Sequence, residues 1–513
     1  MKSLIIIVIA ICLGSCTFHS TYYVDSDSGN DSNSGKSPEK AWASLEKVNS
    51  TEFKPGDQIF FKADTKYFGQ LEVNGNGTET APIIINSYGD GVKPAIHGKG
   101  QKRYTVLLHN VEYWEVNNLE ITNKGTDREA GRRGIIISAE DFGECHHIIL
   151  DSLEIHDVNG SLVKKDGGGS AILWKNGGYS INTRFVGLVI ENCHLHHCGR
   201  NGINSKGYTQ RNNWFPSIGV IIRNNLLEQI PGDGIVPIGC DGAIVENNIM
   251  RDCPDILSHE EAAAGIWPWS SDHTIIQYNE VSDHRAKWDG QGFDSDYNCK
   301  GTIIQYNYSH DNYGGFLLIC NNGETYGSIG NIGTDNTIIR FNVSINDGIR
   351  PYPTKRESWF SPAIHITGPV ENTRIYNNVF VIPEKTTKDG DQTIVQMDNW
   401  GGPWPENTFF ANNIFYVEEK ADFHFEGDEN TKFDNNCFYG KFENLPDDPA
   451  AIFEDPQFVN VAARGEGFEV LKNFMLKKSS PLIGKGTHIE NNGGNDLFGN
   501  KLGKKITIGV SQE

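Results

Sequence analysis

The stretch Ile276-Gln277-Tyr278-Asn279 recurs 28 residues later as Ile304-Gln305-Tyr306-Asn307 in this chain of 513 residues. Related stretches, apolar or aromatic residues followed by a polar pair that ends in Asn, occupy 189–192, 222–225, 245–248, 339–342, 376–378, 411–413 and 435–436. The final Asn of each stretch follows the previous one by 33, 23, 31, 28, 35, 36, 35 and 23 residues. A period of this size predicts a solenoid, in which each repeat buries its apolar face against its neighbours.

The repeat predicts β structure, because its strands are short, alternate in polarity and are bounded by turns. Asn suits the corner of such a coil, since it tolerates the left-handed backbone conformation and its amide can bond the same residue one coil away. Stacked asparagines of this kind occur in right-handed parallel β-helices. We therefore predict an all-β, single-stranded right-handed parallel β-helix, in which the asparagines hold turns and perform no chemistry.

A short helix is predicted ahead of the coils. Ser37-Pro38-Glu39 is a helix start signal, and Trp42, Leu45 and Val48 then share one face. This helix would cover the open N-terminal end of the stack, as repeat arrays require. No linker separates a second domain, so residues 31–513 are predicted to form one β-helix domain.

The first residues read as an export signal. Lys2 precedes an apolar run, 4–13, that is too short to span a bilayer as a stable anchor. Leu13-Gly14-Ser15-Cys16 resembles a bacterial lipoprotein signal, which implies cleavage before Cys16 and lipidation of its thiol; ordinary secretion with cleavage nearby is the alternative. The absence of Asp beside Cys16 resembles outer-membrane sorting in Gram-negative bacteria, facing the periplasm or the cell surface. Residues 17–30 are predicted to be a tether.

Net charge and cysteine spacing argue against nucleic-acid binding and against a zinc site. A formal net charge of -21 makes nucleic acid an improbable partner. We also expect membrane attachment through the lipid anchor alone, and we expect a monomer. The cysteines after Cys16 match no zinc-binding spacing, and most are predicted to be small apolar residues inside the stack. They are Cys145, Cys193, Cys198, Cys240, Cys253, Cys299, Cys320 and Cys437.

A second repeated motif predicts one further strand in each coil. Gly or Ala followed by alternating residues occurs at 171–175, 202–206, 234–238, 265–269, 292–296, 315–319 and 363–367. Because side chains alternate along a strand, the inward positions are predicted to be Ile172, Ile203, Ile235, Ile266, Phe293 and Phe316. One outward column then contains Leu173, Asn204, Val236, Trp267, Asp294, Leu317 and His365. The other contains Lys175, Lys206, Ile238, Trp269, Asp296, Ile319 and Thr367.

The outward columns predict a carbohydrate site. Trp267 and Trp269 would form a platform for sugar rings, since two outward tryptophans on one strand are poor choices for solvent. The alternative is that a loop folds over them and buries them. Long loops at 254–264, 284–291 and 347–362 precede this sheet, and 207–217 and 321–335 follow it; such loops make the walls of a cleft.

Two reactions suit these residues. β-Elimination at a uronic acid needs a base, a cation and an acid. Lys206 or Lys175 would be the base or the cation, and His365 or Tyr208 the acid. The other residues expected to contact substrate are Asn204, Arg200, Tyr208, Arg211 and His310, of which Arg200 and Arg211 would hold the carboxylate.

Glycoside hydrolysis is the alternative reaction. Asp294 and Asp296 are two residues apart on one face, roughly 6 to 7 Å, which is compatible with an inverting pair. Asp289, Asp294 and Asp296 together are also a candidate Ca²⁺ site, because hard cations take several carboxylate oxygens. Their spacing lacks the calcium-loop signature.

Several further stretches carry a resemblance. Residues 22–25, 29–31, 37–38, 41–42 and 55–57 resemble the opening of β-helix carbohydrate enzymes from Bacteroidetes polysaccharide-utilisation systems. Residues 290–296, 306–312 and 314–316 are similar to a subgroup of these enzymes. The resemblance implies polysaccharide lyases, glycoside hydrolases or an ulvan oligosaccharide dehydratase. It does not choose among these reactions. Lys175 and Lys206, outward and adjacent to the tryptophans, favour β-elimination of acidic, uronate-containing poly- or oligosaccharides, with hydrolysis by paired aspartates or non-catalytic surface glycan binding as alternatives.

Overall fold

The computed structural model describes residues 19–355, 359–382, 384 and 392–512. The signal segment 1–16 and Cys16 lie outside these residues, so export and lipidation stay predictions. Within the described part of the chain, no helix is long and apolar enough to cross a membrane.

The chain winds into a stack of coils, with up to three parallel strands in each coil. The first sheet contains Thr21–Val24, Gln58–Lys62, Ile83–Tyr88, Trp114–Asn117, Glu144–Asp151, Arg184–Glu191, Ile221–Arg223, Ile244–Glu246, Ile275–Gln277, Ile303–Gln305, Ile338–Arg340, Arg374–Tyr376, Phe409–Ala411 and Lys432–Asp434, with Ser217–Ile218 and Cys240–Asp241 pairing beside it. Apolar side chains such as Ile222, Ile276 and Ile339 are fully buried along its inner face. The predicted parallel β-helix is therefore confirmed.

The second sheet follows the first in each coil. It contains Lys66–Phe68, Ala95–His97, Glu120–Asn123, Glu154–Val158, His194–Cys198, Leu226–Glu228, Ile249–Arg251, Glu280–Ser282, Tyr308–His310, Val343–Ile345, Val379–Ile382, Ile414–Val417 and Cys437–Tyr439. Its outer face carries a run of histidines in the coils nearer the N-terminus. Its later coils are covered by the C-terminal segment, residues 456–512, which packs on them through an apolar cluster.

The third sheet closes each coil and is built in two halves. The first half contains Leu71–Glu72, Val106–His109, Arg133–Glu140, Ser170–Gly177, Asn201–Lys206 and Ile235–Val236. The second half contains Phe293–Ser295, Leu317–Cys320, Ile364–Thr367, Gln392–Asp398, Ala421–Phe425 and Phe442–Glu443. Isolated bridges from Ile266 to Ile235 and to Phe293 join the halves into one surface.

Short elements complete the fold. The small strand pairs are Ala262–Ala263 with Trp288–Asp289, and Thr334–Asp335 with Val370–Glu371. The helical segments are the α-helix Leu45–Asn49 and the 3₁₀ turns Pro38–Lys40, Lys164–Asp166, Gly323–Thr325 and Phe468–Phe474. The eight later cysteines are buried and unpaired, as expected of small apolar residues.

The asparagine ladder is confirmed. The hydrogen bonds between coils are made by the asparagines, whereas the left-handed backbone conformation belongs to the residue before each of them. Its members, all buried, are Asn225, Asn248, Asn279, Asn307, Asn342, Asn378, Asn413 and Asn436. The side-chain oxygen of Asn307 accepts both the backbone N–H and the side-chain amide of Asn279, at 2.9 and 3.1 Å. The left-handed conformation belongs to the preceding residue, for example Tyr278 with φ 54°. In the coil before Asn225 that conformation falls on Asn192, and Cys193 occupies the ladder position.

The ladder ends at a carboxylate. Asn436 donates its backbone N–H and its side-chain amide to Asp448 Oδ2, at 2.9 and 2.8 Å. Asp448 thus takes the place that an asparagine of a further coil would occupy.

Two predictions at the N-terminal end need correction. The α-helix begins at Leu45, capped by the Ser44 hydroxyl, which accepts the N–H of Lys47, whereas Pro38–Lys40 is a separate 3₁₀ turn. The predicted tether, 17–30, is part of the fold from residue 21, because Thr21–Val24 pairs with Gln58–Lys62.

The predicted register of the third sheet is wrong at one coil. Leu317 lies opposite Phe293 and points inward. Phe316 is also buried in the core, as predicted, so two successive residues of this coil face inward. The outward residues of this coil are therefore Leu318 and Cys320, in place of Leu317 and Ile319. The N–H groups of Phe316 and Leu317 both donate to the carbonyl of Ala363, an irregularity that shifts the strand by one residue.

Candidate active site

A cleft lies on the outer face of the third sheet, where its two halves meet. One cavity, of about 250 Å³, is lined by Lys164, Asp233, Ala263, Ala264, Trp267, Trp269, Asp289, Asp294, Asp296, Tyr297, Leu318, Cys320 and Trp400. A second, of about 130 Å³, is lined by Trp288, Asp289, Gln291, Gly314, Gly315, Leu318, Thr354, Phe360, Ser361, Pro362, His365, Asp398 and Trp400. Asp289, Leu318 and Trp400 line both cavities and therefore mark their boundary.

The strand Phe293–Ser295 places two aspartates in this cleft. Phe293 is fully buried in the core, so alternation turns Asp294 and Asp296 outward. The N–H of Asp294 donates to the carbonyl of Ile266, and that of Asp296 to the carbonyl of Pro268. These bonds fix both residues against the coil that carries the tryptophans.

Asp289 reaches the cleft from a strained turn. Its φ is 62°, a left-handed conformation that is uncommon for a residue other than glycine. The buried guanidinium of Arg350 holds the turn by donating to the carbonyls of Ala286, Lys287 and Asp289, at 3.1, 2.6 and 2.5 Å. From the sequence, Asp289 was predicted only as a metal ligand. The structure places it at the junction of the two cavities.

The three aspartates hold their protons unusually strongly. Burial raises the pKa of Asp289 to about 6. Burial, together with the charges of Asp296 and Asp289, raises the pKa of Asp294 well above its ordinary value. Burial also raises the pKa of Asp296, but the Tyr297 N–H and the Cys320 thiol, 3.2 Å from Asp296 Oδ1, counteract it. Asp296 is thus the member of the group equipped to carry a negative charge.

A fourth carboxylate, Asp233, stays ionised at the same cleft. Burial would raise its pKa, but the charges of Lys164 and Arg200 outweigh burial and lower it. Lys164 Nζ lies 3.8 Å and Arg200 Nη2 3.7 Å from Asp233 Oδ2. Carboxylates of different proton affinity in one cleft are typical of acid–base sites.

Unsatisfied polar atoms point to a polar ligand. Among the described residues, Asp294 Oδ1, Trp267 Nε1 and Gln291 Oε1 are buried without a hydrogen-bond partner. Each lines one of the two cavities. Buried polar atoms are normally paired, so the hydroxyl groups of a sugar are suitable partners for this set.

Both predicted tryptophans line the larger cavity, in different surroundings. Trp267 is only 6% exposed and packs in an apolar cluster with Val236 and Ala264. Lys164 Nζ lies 5.1 Å from the Trp267 ring centroid, so this ring is largely covered. Trp269 is half-buried. Of the two rings predicted to form an open platform for sugars, Trp269 is therefore the one that is mainly accessible.

His365 also belongs to the cleft. It lines the smaller cavity, and its Nε2 lies 3.0 Å from Asp398 Oδ2. Trp400 and Phe360 flank its ring, with centroids 5.6 and 5.0 Å away. Asp398 was missed from the sequence, although its strand pairing places it opposite Thr367, one coil from a predicted column.

The predicted lysines lie in another recess. Lys175 and Lys206 are paired across neighbouring strands, and both line a pocket with Glu140 and Tyr179 that contains none of the cleft aspartates. Lys175 Nζ lies 2.7 Å from Glu140 Oε1. The structure thus separates these lysines from the acidic cleft.

The remaining predicted residues have structural partners. Arg200 is buried and donates to the carbonyl of Ala262 at 2.7 Å, behind the cleft wall. Arg211 pairs with Asp272 at 2.6 Å, and Tyr208 accepts the N–H of Thr183 through its hydroxyl. These contacts account for the positions of the three side chains, so no substrate is needed to explain them.

Two further predicted residues fall outside the cleft. His310 lies on the second sheet, between Glu280 and Asp311, and lines neither cavity, so a substrate contact there stays a prediction. Asn204 lies in the outward column of the third sheet, two coils before Trp267, and lines neither cavity.

The geometry gives no support to the Ca²⁺ site. In the described residues, one group of His, Cys, Asp or Glu side chains has ligand atoms all within 4.8 Å of one another. That group is Glu154, His194 and His196, on the second sheet; Asp289, Asp294 and Asp296 do not form one.

Fold and cleft together define a parallel β-helix protein with an acidic, tryptophan-lined site on one outer sheet. The chain belongs to the family described as right handed beta helix region, which matches residues 99–380.

By sequence, the chain is 29% identical to a lacto-N-biosidase of Bifidobacterium longum subsp. longum, over 85% of this chain but 31% of the relative. The crystal structure of a GH136 lacto-N-biosidase from Eubacterium ramulus is 27% identical, with a TM-score of 0.59 over 71% of this chain and 64% of that chain. The structure of XylC with xylose is 12% identical, with a TM-score of 0.51 over 96% of this chain and 98% of that chain, a likeness of fold alone. The chain spans about a third of the curated relative's length.

Proposed function

We propose that this protein is a glycoside hydrolase whose reacting pair is Asp289 and Asp296. The observation that carries the proposal is the meeting of two cavities at Asp289, beside a second carboxylate, Asp296, that accepts two hydrogen bonds. Hydrolysis of a glycosidic bond needs one protonated and one ionised carboxyl group on either side of the bond. The similarity to lacto-N-biosidases supports the same reaction class.

The acid is assigned to Asp289 because of its position. A glycosidic bond lies between two sugars, so its oxygen must lie where one cavity passes into the next. Asp289 lines both cavities, whereas Asp294 and Asp296 line only the larger one. A pKa of about 6 leaves Asp289 able to donate a proton near neutral pH.

Asp296 is assigned the second role, attack on the anomeric carbon or activation of water. The Tyr297 N–H, at 2.6 Å, and the Cys320 thiol stabilise its anion. Asp294, next to it on the same face, keeps its proton and so leaves Asp296 as the charged partner. A neutral Asp294 can donate a hydrogen bond to a sugar hydroxyl.

The charge of the cleft favours a neutral glycan. Asp233, Asp289, Asp294 and Asp296 line the larger cavity, and among the described residues Lys164 is the one basic side chain there. A uronate would meet this acidic wall at a Coulombic disadvantage. We therefore propose a neutral oligosaccharide, of the lacto-N-bioside kind that names the relatives, ahead of the uronate-containing substrate expected from the sequence.

β-Elimination receives less support. Its proposed base and cation, Lys175 and Lys206, lie in a separate recess, and Lys175 is already paired with Glu140. The cleft itself offers carboxyl groups and His365. These groups suit proton donation to a leaving oxygen and nucleophilic attack, which are the two steps of hydrolysis.

The test uses two substrates for each variant, a lacto-N-bioside oligosaccharide and its aryl glycoside with an acidic phenol. Asp296→Asn should lose at least about a hundredfold in kcat/KM on both, because its carboxylate is needed with either leaving group. Asp289→Asn should lose as much on the oligosaccharide but far less on the aryl glycoside, since a phenolate leaves without protonation. Asp90→Asn, at an exposed carboxylate, is the matched control.

A parallel assay separates the reaction classes. Uronate-containing oligosaccharides are incubated with the protein and followed by absorbance and mass. Chain cleavage with new absorbance would establish a lyase, and a product 18 mass units lighter a dehydratase; either result would displace the hydrolase proposal. Full activity of both Asp289→Asn and Asp296→Asn on the oligosaccharide would remove this pair from the reaction.

A further inference from the structure

The outer face of the second sheet carries a cluster of imidazoles and carboxylates that the cleft does not use. His156 stacks on His196 of the next coil, with ring centroids 4.7 Å apart, and the ring of His194, on the same strand as His196, lies tilted 4.5 Å from it. Glu154 lies among them. The cluster is on a different sheet from the aspartates, so its role is independent of the proposed hydrolysis.

Strand register brings three of these side chains to one point. His194 and His196 are two residues apart on the strand His194–Cys198, so their side chains leave the same face. Glu154, on the neighbouring strand, is the register partner of His194. One ligand atom from each of Glu154, His194 and His196 lies within 4.8 Å of the other two.

The two rings keep different nitrogens available for an ion. His194 Nε2 lies 2.8 Å from Glu228 Oε2, which leaves Nδ1 of that ring available. His196 Nδ1 lies 2.9 Å from His197 Nδ1, and its Nε2 is 3.5 Å from Glu154 Oε1. Imidazole ligands of metals are commonly held in this way by a carboxylate or another acceptor on the second nitrogen.

We propose that Glu154, His194 and His196 bind a divalent first-row transition ion such as Zn²⁺. Tetrahedral Zn²⁺ with nitrogen and oxygen ligands at 2.0–2.2 Å places them roughly 3.4 Å apart. The 3.5 Å between His196 Nε2 and Glu154 Oε1 already matches this separation. A ligand atom of His194 lies within 4.8 Å of the other two, and its 37% exposed side chain has room to move closer to a bound ion.

The ligand set selects the ion. Two imidazoles and one carboxylate suit Zn²⁺, Ni²⁺ or Cu²⁺, whereas Ca²⁺ and Mg²⁺ prefer all-oxygen sets. Three protein ligands leave a fourth position for water or for an exchangeable group. Because Glu154 belongs to one coil and the two histidines to the next, the bound ion would also cross-link neighbouring coils.

The experiment is titration of the chelator-treated protein with ZnCl₂, followed by isothermal calorimetry. We expect one saturable site per chain, no heat with CaCl₂, and a rise in the thermal midpoint with Zn²⁺, since the ion binds the folded state. His196→Ala and Glu154→Gln should each weaken Zn²⁺ binding at least tenfold. Glu154→Gln keeps the side-chain shape, so it tests the site even where an alanine variant folds poorly.

The matched control is His273→Ala. His273 is also an imidazole beside a carboxylate, Asp241, at 2.8 Å, but it lies outside the cluster. Its replacement should leave Zn²⁺ affinity and stoichiometry unchanged. The proposal is overturned if the wild-type protein shows no saturable Zn²⁺ binding, or if His196→Ala and Glu154→Gln bind it as tightly as the wild type.

Discussion

At the scale of single residues, the cleft depends on how three neighbouring aspartates divide their protons. Asp289 has a pKa of about 6 and Asp294 has a pKa well above that of an ordinary aspartate. Burial raises the pKa of Asp296 as well, but two hydrogen-bond donors to its carboxylate counteract this. Charges this close cannot all be ionised at once, so the environment of each group decides its role.

This division predicts a pH dependence of turnover. As the acid, Asp289 must be protonated, so kcat/KM on the oligosaccharide should fall as pH rises through about 6. An aryl glycoside with an acidic phenol needs no proton donor and should lack this fall. The measurement is kcat/KM against pH for both substrates. An identical fall for both would assign that limb to a different group.

The sequence predicted part of this site. Asp294, Asp296, Trp267, Trp269 and His365 were found because strand alternation fixes the outward face of a coil. Lys175 and Lys206 were placed on the correct face, but periodicity cannot tell how far along a sheet a cavity extends.

Other parts were beyond reach for physical reasons. The one-residue shift at Phe316 and Leu317 arises from an irregular pairing with Ala363, which no side-chain pattern records. Asp289 takes its place from a left-handed turn held by Arg350, a contact 61 residues away in the chain. The cleft therefore combines locally encoded strands with loops whose positions depend on distant contacts.

At the scale of elements, the asparagine ladder is the corner that joins the first sheet to the second. Asn307 receives two hydrogen bonds from Asn279 and donates to Ile276 and Asn342, at 2.9 and 3.0 Å. All of these groups are buried, so none can turn to water if a partner is removed.

Replacing Asn307 should destabilise the protein strongly. Asn307→Ala leaves the buried N–H of Asn279 without its acceptor, at a cost of about 1–3 kcal/mol for that group alone. Asn182→Ala, at an exposed asparagine, should change the free energy of unfolding by no more than about 0.5 kcal/mol. Urea unfolding of both variants measures the difference. Equal midpoints would show that the ladder adds little to stability.

At the scale of the whole molecule, the C-terminal segment fastens the second sheet at His310. Glu280 accepts the N–H of Gly467, at 2.9 Å, and also contacts His310 Nε2 at 3.0 Å. Asp311 lies 2.8 Å from the other ring nitrogen. Burial would lower the pKa of His310, but the bonds to Asp311 and Glu280 outweigh it and raise the pKa to about 9.

This contact predicts a loss of stability in alkali. Because the folded pKa exceeds the ordinary value of 6.5, the contribution is complete below that value and is lost as pH rises through about 9. The contribution to the free energy of unfolding is roughly 3 kcal/mol, because the pKa rises from 6.5 to about 9 and each pKa unit is worth about 1.4 kcal/mol. The protection factors for amide hydrogen exchange across 456–512, which remove the intrinsic base-catalysed rate, should therefore fall above pH 9 in the wild type. His310→Gln should exchange faster at neutral pH and show no such step; a step that persists would exclude His310 as its origin.

The carboxylate of Asp448 has a consequence for how molecules meet in concentrated solution. Every asparagine in the ladder both accepts from the coil before it and donates to the coil after it, so an uncovered last coil would be a template for another molecule's strands. Asp448 accepts from Asn436 but has no N–H in its side chain to offer onward. At this corner the ladder therefore presents no side-chain donor to a further coil, and the pairing of Ile452 with Cys437 covers the strand beside it, so the end of the stack is a poor start for a fibre.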